Sequence, residues 1–226
     1  MLRLARKFIV YTTGAGAVGF GGFLFLTRKS QFVPYDLDAD PLFNSDLFKK
    51  FNPNANFPAL HDLCVRRVPL SKIRPELLKE EGKLVEAFCG GIYGGIGYEV
   101  QRKVLENKYR GPETASQLWD KPELAQSAYA VGTQITDHFE VVSHTPTAIV
   151  VRAGDSPRKP EVRESDGLFE MSAVVKEDEG VAEFRLKSLF FRSAGNSEER
   201  LPPPVAFLHR LYTQLWMETG IKKALK

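Results

Sequence analysis

TQITDHFEVVS (133–143), TAIVVRA (147–153), DGLFEMSAVVK (166–176) and VAEFRLKSLFF (181–191) decide the fold. Each run is rich in β-branched and aromatic residues, and turn-forming residues separate them. In the third, Phe169, Met171, Ala173 and Val175 fall on one side. In the fourth, Phe184 and Leu186 alternate with Arg185 and Lys187. Consecutive strands with connections this short predict an antiparallel sheet.

Outward from that sheet the period changes. Pro202–Pro204 punctuate a turn, and VAFLHRLYTQLWMETGIKKALK (205–226) follows at helical spacing. Val205, Leu208, Leu211, Tyr212, Leu215, Trp216 and Ile221 make an apolar stripe, and Lys222, Lys223 and Lys226 sit where cations suit the helix dipole. Before the sheet, residues 110–132 read as an irregular crossing with a short helix. HDLCVRRVP (61–69) alternates as a first strand would, and Pro75 opens a helix over ELLKEEGKLVEAF (76–88). A break at Gly90–Gly91 then predicts a second helix, with Ile92, Tyr93, Ile96, Val100 and Val104 at helical spacing down to Tyr109. The expected domain, 60–226, is α+β: one strand, helices, four strands and a long C-terminal helix.

Residues 1–29 read differently. Phe8 to Thr27 (FIVYTTGAGAVGFGGFLFLT) carries no charge over 20 residues, with Arg3, Arg6 and Lys7 before it and Arg28 and Lys29 after it. At about 1.5 Å per residue this matches the ~30 Å hydrocarbon core of a bilayer. A cleaved secretory signal and a mitochondrial sorting segment are the competing readings. The run is longer than a signal core and apolar all round rather than amphipathic, so an uncleaved single-pass anchor is expected, in the endoplasmic reticulum or a mitochondrial membrane. Ala15/Gly19 and Ala17/Gly21 have the small-xxx-small spacing that permits self-association. Residues 30–59, with Pro34, Asp36, Asp38, Asp40, Pro41 and Pro53, read as a polar linker carrying one short helix around Ser45 to Phe51, with Phe43, Phe48, Phe51 and Phe57 available to dock onto the domain.

The net charge is +3, with 31 basic and 28 acidic residues and no basic block interleaved with aromatics, which argues against nucleic acid. Cys64 and Cys89 lack C-x-x-C spacing and the four histidines are scattered, so no metal site is expected and the cysteines read as buried thiols. No cofactor motif is complete. GGIYGGIGYE (90–99) has glycines, but a helix precedes it and no Lys-Ser/Thr follows; close helix packing is the better reading.

The element order, YAVGTQITDHFEVVSHTPTAIVVRAGDS (129–156), and LKSLFFRS followed by PVAFLHRLYTQLWMETGIKKAL together resemble the START-like superfamily, also called SRPBCC or polyketide cyclase-like. The resemblance covers about two thirds of the chain. It implies a helix-grip fold, a curved antiparallel sheet gripping the C-terminal helix around an apolar cavity that holds lipids, sterols or polyketides. Members include carriers and enzymes, so it does not settle the activity.

The candidate site residues follow. Asp137 shares a strand face with Ile135, Phe139 and Val141, which would put a carboxylate in the cavity with a raised pKa, suited to acid/base work. His138 falls on the opposite, solvated face. Arg152 would hold an anionic ligand group or pair with Asp155, and Phe169, Met171, Phe184 and Trp216 would line an apolar ligand. GDSPR (154–158) is a turn and not a nucleophile elbow. The leading expectation is therefore a membrane-tethered domain that binds a hydrophobic small molecule. The alternatives are a cyclase or other tailoring enzyme, and a non-catalytic membrane assembly factor.

Overall fold

The computed structural model describes residues 17–197 and 200–226. Its centre is a seven-stranded, wholly antiparallel sheet in the order β1-β2-β7-β6-β5-β4-β3. The strands are β1 (Gln31–Phe32), β2 (Leu60–Pro69), β3 (Gln134–Ile135), β4 (Phe139–His144), β5 (Ala148–Ala153), β6 (Asp166–Lys176) and β7 (Val181–Phe191). β2 leaves the sheet into helices and returns beside the last strand, β7, with Leu60 opposite Phe190 and Pro69 opposite Val181. The long helix α7 (Pro203–Lys222) then lies on β2 and β7. The chain is thus α+β, with the antiparallel sheet and C-terminal helix the sequence pattern calls for.

Alternation along the strands fixes two unlike faces. Cys64, Leu186, Met171 and Ile149 lie in one cross-strand row that looks at the helices. The neighbouring row on that face is Asp62, Ser188, Phe169, Val151 and Val141. Against these rows pack α4 (Lys83–Tyr93) and α7, which are also in contact with each other. A register shift between Val141 and Ser143 marks a β-bulge at the β4–β5 pair.

The helices differ in detail from the expected pair. A short α3 (Glu76–Lys79) stops before Gly82, whose φ of 86° needs a glycine, and α4 then runs straight through Gly90 and Gly91. The break falls instead at Gly94–Gly95, before α5 (Ile96–Tyr109). The glycines serve close packing: a Cβ on Gly91 would collide with the Gly220 carbonyl of α7, and one on Gly94 would stand 2.7 Å from the Ala125 Cβ of α6 (Lys121–Gln126).

Residues 30–59 are more than a linker. β1 joins the sheet, and α2 (Asp46–Phe51), N-capped by Ser45 through the Phe48 amide, lies over the face opposite the helices. There Leu37, Leu42 and Phe48 bury against Val150, Leu168, Leu189 and Phe191. The polar composition misled because its polar residues bond inward. Asn56 donates to the carbonyls of Arg192 and Gly195, and Lys187 Nζ meets Asp40 at 2.6 Å.

Of the expected membrane span, the described part is helix α1 (Ala17–Thr27), 11 residues long, and the remainder of Phe8–Thr27 lies outside the described residues. No described helix is long and apolar enough to cross a membrane. α1 touches α7, and the junction is held by Ser30, whose hydroxyl donates to Glu218 Oε1 at 2.6 Å and whose carbonyl accepts from Gln214 at 2.9 Å.

Candidate functional site

The space between sheet and α7, where a cavity was expected, is occupied by side chains. Tyr93 from α4 meets Tyr98 (5.2 Å between ring centroids), Phe139 (5.4 Å) and Trp216 (5.7 Å), and Trp216 meets Phe169 at 5.5 Å. Phe88 stacks at a tilt on Phe184, 5.0 Å away, and the Cys89 thiol lies 3.5 Å from the Met171 sulfur. Phe169, Met171, Phe184 and Trp216, expected to line a ligand, are members of one filled hydrophobic core. Cys64 and Cys89 are buried free thiols. Burial pushes the Cys64 thiol up to about 12, far from a reactive thiolate. Inside the core, the Tyr93 hydroxyl is buried without a hydrogen-bond partner among the described residues.

Asp137 is not on a strand. Thr136 and Asp137 turn between β3 and β4 with φ of 50° and 49°, an unusual conformation for non-glycine residues. That turn swings the carboxylate away from the core and into a polar knot. Oδ1 accepts from Gln117 Nε2 (3.1 Å), Ser156 Oγ (2.8 Å) and Arg158 Nε (3.0 Å), and Oδ2 accepts from the second Arg158 branch at 2.9 Å. Burial alone would raise its pKa, but the bonds from Arg158, Gln117 and Ser156 outweigh it and hold the group below the usual carboxylate range. The expected raised pKa is thus reversed. An ionised carboxylate already saturated with donors is a poor general base. His138, expected on the solvated side, is partly buried, and burial pushes its pKa down to about 4.

Arg152 also serves structure. It points to the face opposite the helices, away from the core, and its partner is Asp166 rather than Asp155. The pair is bidentate at 3.0 and 2.6 Å, with Arg152 2% exposed and Asp166 0%. Its remaining donors reach the carbonyls of Pro160 and Glu161, both at 2.8 Å, and the ring of Phe51 covers the guanidinium at 4.3 Å. Ser193 and the Gly167 amide complete the Asp166 carboxylate. All three guanidinium nitrogens are thus bonded within the protein. The 154–158 stretch is the expected turn: Asp155 accepts from the Ser156 amide at 2.7 Å.

Sequence reasoning missed one cluster at the sheet–α7 boundary. Asp62 and Ser188 are cross-strand partners, and His209 on α7 places Nε2 3.1 Å from Ser188 Oγ, 3.2 Å from Thr213 Oγ1 and 3.4 Å from Asp62 Oδ1. The residue types suggest a hydrolase, but the geometry does not. All three partners crowd one ring nitrogen, whereas a relay needs the acid on one nitrogen and the nucleophile on the other. Ser188 is also 0% exposed. Only the helical His209/Thr213 spacing was legible beforehand; the Asp62–Ser188 pairing depends on β2 lying beside β7.

Two surface grooves remain. One, about 480 Å³, is lined by Ser116, Leu118, Ser127, Gly132, Thr133 and Gln134. The other, about 360 Å³, has Gly90, Gly91, Gly94 and Gly95 in its lining, with Ile96, Ala125, Thr219 and three lysines, Lys121, Lys222 and Lys223. Comparisons with protein-family models, curated proteins and solved structures found no match. On the surface, α5 turns Ile96, Val100 and Val104 outward, 62%, 53% and 40% exposed, on successive turns of one helix face.

Proposed function

We propose that this chain is a non-catalytic, membrane-tethered domain of helix-grip type that works by surface contact, in the manner of a membrane assembly factor. The observation that carries the reading is the exposed apolar stripe Ile96–Val100–Val104, set on a helix that buries Gly97, Tyr98 and Leu105 on its other side. Single exposed apolar residues are ordinary; a ridge on successive turns marks a contact surface. Two further features support it. The interior is filled by aromatic rings, and the titratable groups near it are committed: Asp137 to Arg158, and Asp62 to a histidine in the wrong geometry for a relay. The order strand, helices, five strands and helix, with β2 beside β7, supports the START-like resemblance. The tether is the uncharged run 8–27, whose described end exposes Leu24, Phe25 and Leu26, and its membrane is that of the endoplasmic reticulum or the mitochondrion.

A photo-reactive side chain installed at Val100 in the full-length chain tests this in native membranes. Adducts to lipid or protein are expected at Val100 and not at Asp178, an exposed residue of the β6–β7 turn. Equal labelling at the two positions would refute the contact surface.

A hydrophobic-ligand carrier is the second reading, favoured by one observation, the unpartnered Tyr93 hydroxyl within the apolar core. An apolar molecule with a single oxygen acceptor would satisfy it, held among Phe169, Met171, Phe184 and Trp216 once α7 moved aside. A stoichiometric lipid, sterol or polyketide extracted with the full-length chain would place this reading first.

A further inference from the structure

The α5 stripe does not stand alone. Ile96, its first residue, also lines the glycine-floored groove, and that groove collects Lys121 from α6 with Lys222 and Lys223 from the end of α7. None of these three lysines makes an ion pair or side-chain hydrogen bond among the described residues, although most other basic side chains of the domain do. Glu99, which also feels the charge of Lys121, is paired with Lys103 at 3.2 Å, and partial burial followed by the charge of Arg74 lowers the Lys223 pKa. The glycines keep the floor low. Any side chain at Gly90 would meet the Ala125 backbone and approach the Lys223 ammonium at 3.0 Å, so the lysines stand around a cleft that is closed to larger residues.

α7 is also touched by α1, whose Leu24, Phe25 and Leu26 are 47%, 62% and 61% exposed. One helix, α7, thus touches both the apolar stretch and the stripe-bearing α5. The apolar ridge and the three lysines thus share one groove through Ile96.

We propose that the α5 stripe and the lysine groove form a docking face for an anionic bilayer, with Ile96, Val100 and Val104 at the acyl boundary and Lys121, Lys222 and Lys223 around a lipid phosphate. This rests on the contact-surface reading above and names what the surface contacts. Amphipathic faces of this composition bind membranes by adding apolar burial to attraction for anionic lipid. A protein partner would satisfy the stripe equally well. It is the unpaired lysines at the stripe's end that favour lipid.

The test uses the full-length chain with Val100→Cys carrying an environment-sensitive fluorophore, since Cys64 and Cys89 are buried and do not compete in the folded protein. The protein is reconstituted in phosphatidylcholine vesicles with and without phosphatidylserine. Expected are a blue shift and quenching by brominated lipid that require phosphatidylserine, weaken with salt, and disappear in Lys121→Gln/Lys222→Gln/Lys223→Gln. The triple variant should weaken the interaction on the order of 100-fold. Unchanged circular dichroism of that variant excludes misfolding; if it misfolds, salt and lipid dependence of the Val100→Cys chain decide alone. Quenching that ignores phosphatidylserine, or reversal by inorganic phosphate, overturns the proposal. A blue shift without lipid quenching, dependent on protein concentration, also overturns it but leaves the contact-surface reading standing. A label that stays aqueous in every vesicle and in native membranes removes both.

Discussion

The two faces of the sheet bury comparable strands by different means. Toward the helices, interlocked aromatic rings such as Phe88 on Phe184 and Tyr93 on Trp216 fill the space. On the opposite face, a strap of residues 31–59 covers a smaller apolar patch, and it sits among buried charges: Arg152 with Asp166, and Lys187 with Asp40. The helix face is held by area removed from water, at roughly 25 cal/mol per Å². The strap face depends on complete pairing, because a buried charge that loses its partner retains its desolvation cost. The lesson is that the face with the charged residues is structural, and the apolar helical surface outside both cores is where contact with another molecule is available.

Removing one partner of the buried pair is the severest way to break that comparison. Asp166→Ala leaves Arg152, 2% exposed, without its bidentate acceptor and is expected to cost about 3–5 kcal/mol in denaturant unfolding. Arg152→Met/Asp166→Leu should recover most of the loss, since it removes both charges at similar volume. A single variant within about 1 kcal/mol of the parent would show that the strap face does not depend on pairing.

How much of this was legible follows from the range of the interactions. The strands from Phe139 to Phe191 and the helix from Pro203 announce themselves through local period, and the structure has them within a few residues. α4 was misjudged at Gly90–Gly91 because glycine breaks helices on average, while here the pair is needed for approach to Gly220, a contact more than a hundred residues away. Asp137 was misplaced because a strand period was carried through Thr136 and Asp137, and positive φ at non-glycine residues leaves little trace in composition. Arg152 was given a neighbour in sequence, Asp155, although its partner lies across the β5–β6 ladder near Ala153↔Gly167. The polar look of residues 31–59 concealed Asn56 and Asp40, whose bonds go inward to chain that follows more than a hundred residues later.

A milder probe acts on the polar knot that adjoins the strap face. His138 has a folded-state pKa of about 4, lowered first by burial, against about 6.5 when unfolded. The unfolded chain therefore takes up this proton first as pH falls. The stabilising share is fully present above pH ~6.5, declines on the way to pH ~4, and levels off below that; with a partly exposed ring it is on the order of 2 kcal/mol. Asp137, whose pKa is lowered in the fold, adds a loss of the same sign at still lower pH, as its carboxylate protonates and releases Arg158. His138→Gln should flatten the stability curve between pH ~6.5 and ~4 and leave the steeper acid limb. An unaltered slope in that window would assign the pH response to other groups.

The smallest expected effect falls on the helix face and separates the two functional readings. Tyr93 is 1% exposed, and its hydroxyl has no partner, so the folded state carries a desolvation cost of about 1–3 kcal/mol that phenylalanine would not. If the core works only by packing, Tyr93→Phe keeps the ring contacts with Tyr98, Phe139 and Trp216 and leaves stability unchanged or raised by about 1 kcal/mol. If a ligand with an oxygen acceptor is housed there, the same change strips that acceptor of its donor. The melting temperature of protein purified from its native membrane should then fall, while that of delipidated protein does not. Equal or higher melting temperatures in both preparations would leave the aromatic core as scaffold, and the outward face of α5 as the part of the molecule that meets its surroundings.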